Sequence, residues 1–221
     1  METNTHNIII GELRYRITEN EAIVTGYYKP LKGELVIPET VEGVPVTEIA
    51  DEALEHLQVT KLTAKSIRRA GRAGLRCCRN MEQIDMPQLE YIGDEGFCCM
   101  HPMAELYLPS VVETGKGAFK QSNFMKVSMP KLKHISEFAF FHSILMKEAD
   151  FPGVERIDEF AFCRCRRMER IDVKNATYIA PHAFMGCRSL RSVEADCEYD
   201  NSNLTASESE VHAEIERFRG L

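Results

Sequence analysis

The sequence lacks any long apolar run. Its most apolar stretch near the N-terminus is only Ile8 to Ile10, and no cluster of positive charge precedes it. A secretory signal needs a basic start followed by about 7–15 apolar residues, and a membrane helix needs about 20. We therefore expect no membrane partner and a cytoplasmic location. If a leader had been removed, the expected alternative would be a secreted or surface protein.

The usual sequence signatures of catalysis are also missing, because there is no phosphate-binding loop, dinucleotide fingerprint or nucleophile elbow. Six of the eight cysteines occur as adjacent pairs or with one intervening residue, whereas zinc sites favour spacers of about two to four. No histidine recurs at a fixed distance from a cysteine, as a nucleophile–base pair would require. The sequence predicts a protein that is not an enzyme and has no cofactor or metal. The alternative is a metal- or thiol-dependent protein whose site is not recognisable.

Strong positive charge is absent as well. The formal net charge is −7, and most of it belongs to the acidic segment from Glu194 onward. Arginines cluster between Arg68 and Arg79 and again between Arg164 and Arg191, but without the interleaved aromatic residues that nucleic-acid binding favours. These features exclude nucleic acid as the expected partner and favour a protein or peptide.

What the sequence does contain is a unit of about 22 residues that recurs along most of the chain. Each unit has a bulky residue that follows a small one, and nine or eight residues later an aliphatic or small residue begins an alternating segment. The bulky column is Leu54, Leu75, Phe97, Phe119, Phe140, Phe162 and Phe184. Such regular spacing over seven units predicts a solenoid in which one coil stacks on the next.

Each unit also indicates its own local structure. Gln83 to Met86 alternates polar and apolar residues, which is strand periodicity, and Pro87 then ends the strand because proline cannot donate to a ladder. A second short alternating segment follows. We predict an α/β-type repeat solenoid that is mostly β: a right-handed leucine-rich-repeat coil with short parallel strands, an N-terminal hairpin-like cap and a C-terminal helix.

The repeat pattern divides the chain into three parts. We expect an N-terminal cap segment at 1–34, leucine-rich repeats at 35–197 and an acidic tail with a cap helix at 198–221. The repeats would number about seven units of 21–22 residues, the first carrying an insertion around Gly43. In the tail, Ser207 and Glu210 have capping-box spacing, and Val211, Ile215 and Phe218 share one helical face. A partner-binding helix or a loose acidic tail is the alternative for this segment.

The units resemble the BspA-like, or Treponema pallidum type, leucine-rich repeats. The resemblance is carried by Ala161-Phe162-x-x-Cys165-x-x-Met168-x-x-Ile171-x-Val173 and by Ala183-Phe184-x-x-Cys187-x-x-Leu190-x-x-Val193. It implies a non-catalytic protein-interaction module that binds through its repeat surface. Because many members of that family are surface proteins linked to adhesion, it also implies an exported adhesin as the alternative.

Cys78, Cys165 and Cys187 share one register of the repeat, which serine fills at Ser122 and Ser143. This substitution pattern predicts a buried ladder of small, weakly polar side chains. Metal binding by cysteines and a Cys165–Cys187 disulfide are the alternatives.

The outward column of the principal strands provides the candidate binding site. Its members include Asp85, Tyr107, Asp150, Asp172 and Glu194, which would stand about 4.8 Å apart on successive parallel strands. Like charges placed side by side do not help a sheet to assemble. We therefore predict a concave acidic strip that binds a protein or peptide, basic in character, with Tyr107 as an aromatic anchor. The alternative is an ordinary solvated strand face.

Overall fold

A computed structural model describes residues 5–220 of the chain as a stack of coils built from short parallel strands. Each coil contributes one principal strand, and these strands form two parallel sheets in which Leu62, Val127 and the equivalent residues face the core. The principal strands are β4 (Gly33–Val36), β7 (Val59–Thr63), β9 (Gln83–Asp85), β11 (Glu105–Tyr107), β13 (Lys126–Ser128), β15 (Glu148–Asp150) and β17 (Arg170–Asp172). We number the coils one to seven by these strands.

A second ladder is built from the strands that follow the principal ones, and all of these except the first are two residues long. They are β6 (Val44–Ile49), β8 (Arg69–Ala70), β10 (Tyr91–Ile92), β12 (Glu113–Thr114), β14 (His134–Ile135), β16 (Arg156–Ile157) and β18 (Tyr178–Ile179). Each of them has at least one buried residue, such as Ile92 or Ile135. Every coil therefore closes on its core from two sides, and no coil could bury its apolar side alone.

The first coil carries the predicted insertion. Strand β5 (Thr40–Val41) pairs antiparallel with β6, and the connecting Glu42 and Gly43 both have positive φ, at 49° and 82°. Two successive positive φ values are what a tight two-residue hairpin requires, and Gly43 adopts its value without a Cβ clash.

An antiparallel meander covers the start of the stack. It consists of β1 (His6–Ile10), β2 (Leu13–Ile17) and β3 (Ala22–Tyr27), and β3 pairs with β6 in parallel. The alternation of β2, whose Leu13, Tyr15 and Ile17 are buried, places its apolar side on the core. The predicted hairpin-like cap is thus present, while residues 1–4 and 221 of the predicted end segments lie outside the described residues.

The core is organised around the phenylalanine column. The rings of Phe119, Phe140, Phe162 and Phe184 stack nearly parallel, with successive centroids 4.9, 5.1 and 5.0 Å apart. The carbonyl of the alanine before each phenylalanine accepts a hydrogen bond from the previous coil: the Phe140 N–H donates to Ala161 O at 2.7 Å, and the Phe162 N–H donates to Ala183 O at 2.8 Å. Small residues at this position allow the coils to approach closely enough for both contacts.

Past the second strands, the chain turns through a series of loops that we call the loop edge. In each of the first six loops, two residues that lie four positions apart adopt positive φ, and the second residues of these pairs include Cys77 (58°), Cys99 (56°) and His142 (59°). Non-glycine residues adopt this conformation rarely. Here inter-coil hydrogen bonds such as Cys77 N–H to Cys98 O, at 2.8 Å, hold them in it.

The C-terminal end combines a short 3-10 helix, Asn201–Thr205, with α1 (Glu208–Arg219). Leu204 and Tyr199 cover the last coil, and the Tyr199 ring contacts Phe184 edge-on at 5.6 Å. The capping box of Ser207 and Glu210 is formed as predicted. The helix itself lies on the loop edge, where Val211 and Ile215 join a second apolar cluster with Phe160. No helix within residues 5–220 is long and apolar enough to cross a bilayer.

Candidate functional site

The structure places three of the predicted strip residues on one continuous sheet of β11, β13, β15 and β17. Tyr107 pairs in register with Ser128, Ser128 with Asp150, and Asp150 with Asp172. The Tyr107 side chain is 57% exposed, while the two aspartates are half-buried. The spacing of outward residues in the repeat therefore predicts the order of these side chains along the sheet correctly.

Two other members of the strip stand apart from this sheet. Asp85 belongs to the separate sheet of β4, β7 and β9, because β9 and β11 do not pair. The segment that leads into β11 contains Pro102, which has no N–H to donate. Glu194 is exposed and follows Val193, whose N–H bonds the side chain of Asn201 at 3.0 Å instead of a neighbouring strand. The predicted continuous strip is wrong at the β9–β11 junction.

A groove of about 940 Å³ lies over the last strands of this sheet, on the side of the chain's C-terminus. Its walls come from β15, β17 and the segment 189–194, which follows the last loop without forming a strand. Three strip residues, Asp150, Asp172 and Glu194, line it together. The charged lining residues that the strip did not include are Lys126, Glu148, Glu169, Arg170, Lys174 and Arg191.

The groove has two rows of outward side chains with different charge patterns. One row reads Lys126, Glu148 and Arg170 on β13, β15 and β17, so opposite charges alternate along it. The other row places Asp150 directly beside Asp172. Cross-strand pairs of opposite charge are favourable and like pairs are not. The first row is thus compensated within the sheet, and the second leaves negative charge available to a ligand.

Hydrogen bonds fix the two aspartates. The Ser128 hydroxyl donates to Asp150 Oδ2 at 2.9 Å, and the Lys174 backbone N–H lies 3.4 Å from Asp172 Oδ1. Each carboxylate keeps one oxygen without a described protein donor. A pre-positioned carboxylate that retains free acceptor sites suits a ligand that brings its own N–H donors.

The cysteine register forms the predicted buried ladder. Cys165 Sγ donates to Phe140 O at 3.1 Å and Cys187 Sγ to Phe162 O at 3.0 Å, while Ser122 Oγ makes the equivalent bond to Phe97 O at 2.6 Å. All eight cysteines are free thiols. Within the described residues, no group of three or more His, Cys, Asp or Glu side chains is arranged to hold a metal ion.

The loop edge of the last coils is covered by α1. Arg164, Arg166 and Arg188 all approach the Glu208 carboxylate, at 3.1, 2.6 and 3.9 Å. Phe218 contacts Phe160 edge-on at 5.4 Å. The arginines of these loops therefore bind the helix start of their own chain, a contact that the acidic first turn of the helix and the basic loops together could have indicated.

Comparison with known proteins agrees with the repeat. A family described as BspA type leucine rich repeat region matches residues 33–121 and 112–210, in six copies. The leucine-rich repeat protein of T. pallidum is similar in structure, with a TM-score of 0.72 and 18% identity over 96% of this chain and 95% of that one. The pneumococcal vaccine antigen PcpA gives a TM-score of 0.45 and 17% identity, over 90% of this chain and 51% of that one. No curated protein matches the chain.

Proposed function

Because this chain belongs to the family of BspA-type leucine-rich repeat proteins, we propose that it is a non-catalytic interaction module that binds a segment of another protein. The observation that carries the proposal is the groove of about 940 Å³ in which Asp150, Asp172 and Glu194 meet. Repeat solenoids characteristically bind through extended surfaces of this kind.

The charge pattern specifies the partner further. The compensated row of Lys126, Glu148 and Arg170 offers little net attraction to either sign, whereas the aspartate row attracts positive charge. Lysine or arginine side chains of a partner would donate to the free carboxylate oxygens of Asp150 and Asp172. The exposed ring of Tyr107, on the strand next to Ser128, adds apolar contact beside the groove.

The test compares capture of proteins from native lysate by three forms of the full chain. The groove variant combines Tyr107→Ala with Asp150→Asn and Asp172→Asn; the two asparagines keep the shape of the aspartate side chains while removing their charge. The matched control combines Tyr178→Ala, Glu113→Gln and Glu155→Gln on the second ladder, where Tyr178 is also exposed. Circular dichroism establishes that both variants fold.

We expect the wild type to capture specific proteins that the groove variant no longer captures and that the control still captures. Loss of an aromatic anchor costs about 2 kcal/mol or more, or roughly 30-fold in affinity. A synthetic arginine-rich decapeptide should bind the wild type more tightly than its glutamate-rich counterpart, and the difference should shrink at high salt. Equal capture by all three forms, or equal binding of the two peptides, would refute the groove as the site.

We also propose a cytoplasmic location. It is supported by the S–H donors of Cys165 and Cys187, since the ladder needs these residues as thiols and thiols persist in reducing compartments. Fractionation of the source cells with an antibody against the chain tests this. Recovery in the medium or on the surface would favour the exported adhesin instead.

A further inference from the structure

Three cysteine sulfurs gather on the loop edge of coils two and three. Cys77 and Cys99 occupy the same position of successive loops and share the same positive-φ backbone, at 58° and 56°. Cys98 precedes Cys99, and their sulfur atoms are 3.4 Å apart. Cys98 is buried, whereas Cys77 and Cys99 are half-exposed. The cluster thus has one thiol shielded from solvent and two that reagents can reach.

The surroundings favour negative charge on Cys99. The Cys98 side chain, as a hydrogen-bond donor, is the largest influence that lowers the pKa of Cys99 to about 6; Cys77 and the charges of Arg79 and Lys120 act in the same direction, and burial opposes them. The same contact raises the pKa of Cys98, with burial and the Glu95 carboxylate adding to it. Cys98 therefore keeps its proton and Cys99 becomes the thiolate.

Three buried cysteines outside this cluster differ in this respect. Burial raises the pKa of Cys78 to about 12 and raises those of Cys163 and Cys187 as well. All three are fully buried. Because the thiolate is the nucleophile, none of them competes with Cys99 for an oxidant.

We propose that Cys99 is an oxidation site for hydroperoxides and that Cys77 resolves the product as a disulfide between adjacent coils. In the first step the Cys99 sulfur attacks a peroxide oxygen, the O–O bond breaks and hydroxide leaves, so that sulfur loses two electrons and becomes a sulfenic acid. In the second step the Cys77 sulfur attacks the Cys99 sulfur, an S–S bond forms, the S–O bond breaks and water leaves with the Cys77 proton. Two thiols and one hydrogen peroxide thereby give one disulfide and two waters.

Backbone geometry selects Cys77 over Cys98 as the resolving residue. Disulfides join residues whose Cα atoms are about 4.4–6.8 Å apart. Adjacent residues such as Cys98 and Cys99 have Cα atoms only about 3.8 Å apart. Equivalent positions of stacked coils stand about 4.8 Å apart, which falls in the required range. This inference concerns the loop edge and does not depend on the proposed binding groove.

The test treats the reduced full chain with hydrogen peroxide in slight excess and maps its peptides by mass spectrometry. We expect a cross-linked pair of peptides that joins Cys77 to Cys99, and a fall in the titratable thiols of the denatured protein from eight to six. The Cys77→Ser variant should instead accumulate a dimedone adduct of sulfenic acid at Cys99. The Cys197→Ser variant, which removes a half-exposed cysteine outside the cluster, should form the same disulfide as the wild type.

The rate provides a second readout. At pH 6 about half of Cys99 would be thiolate, against about three thousandths of an unstructured cysteine peptide, and the lower nucleophilicity of the more acidic thiol reduces this advantage to about tenfold. Peroxide should therefore consume Cys99 about tenfold faster than the peptide. A disulfide that includes Cys98, an adduct that appears first at another cysteine, or a rate no faster than that of the peptide would overturn the proposal.

Discussion

Replacement of Phe140 by alanine tests the account of the core. Phe140 is fully buried, and its ring stacks on Phe119 at 4.9 Å and on Phe162 at 5.1 Å, with interplanar angles of 4° and 2°. It also contacts Phe151 at 5.5 Å. Removing it leaves a cavity in the middle of the column, where the neighbouring rings are held by their own coils and cannot move in to fill it.

The expected cost is large relative to the stability of a domain. A buried Phe→Ala change costs about 3–5 kcal/mol, and this site should lie at the upper end because two stacked contacts are lost together. The Phe140→Leu variant keeps most of the apolar volume and loses mainly the two ring contacts, each worth about 0.5–1.5 kcal/mol. It should therefore cost about 1–3 kcal/mol. The half-buried Phe218 of α1 serves as the matched control, and Phe218→Ala should cost about 1–2 kcal/mol.

Urea unfolding followed by far-ultraviolet circular dichroism measures these differences. Coils that interact only with their neighbours transmit a central defect to the whole stack as long as unfolding stays cooperative. We expect the midpoint to fall in the order wild type, Phe218→Ala, Phe140→Leu, Phe140→Ala, with similar slopes. A Phe140→Ala loss below about 2 kcal/mol, or one no larger than that of Phe218→Ala, would refute the stacked column as the main stabilising element.

Three further predictions concern single contacts. Because Cys165 donates to Phe140 O at 3.1 Å, thermal unfolding should find Cys165→Ser more stable than Cys165→Ala, by about 1 kcal/mol; the reverse order would show that the donor is not used. Glu208→Gln weakens the contacts with three arginines, so amide exchange in α1 should accelerate by a factor that reflects about 0.5–1 kcal/mol; unchanged exchange would contradict this anchor. The pKa of Cys99 is lowered to about 6, so its thiolate persists below neutral pH. The rate at which iodoacetamide alkylates Cys99 should therefore be nearly constant from pH 9 down to pH 7 and fall below about pH 6. A decline that already begins near pH 8 would contradict the lowered pKa.

The parts of the fold that recur from coil to coil can be predicted from the sequence. The phenylalanine column, the cysteine–serine register and the alternating strands are each visible because a position that packs in one coil packs in the next. Seven repetitions turn a weak local signal into a strong one. The helix start at Ser207 is likewise local, since its capping box and apolar face involve only neighbours in the chain.

The candidate site can be predicted from the sequence less completely than the fold. The spacing of outward residues assigns a column, but it does not record whether each pair of strands is hydrogen-bonded, and the break between β9 and β11 separates Asp85 from Tyr107. The apolar face of α1 predicts burial without naming the surface that buries it. The thiolate of Cys99 depends on Cys98 beside it in the chain and also on Cys77, Arg79 and Lys120, which only the backbone turns of the loop edge bring close to it.

The departures from the repeat, more than the repeat itself, create the surfaces that can act. The groove exists because Val193 bonds Asn201 instead of extending the ladder beyond β17. Its negative row exists because Asp150 and Asp172 interrupt the alternation of charge that the neighbouring row keeps. A strictly regular solenoid would present pairs of opposite charge along its whole sheet, and it would bury a small residue at the cysteine–serine position of every coil. We therefore propose that the binding specificity of this chain comes from the positions where the pattern changes.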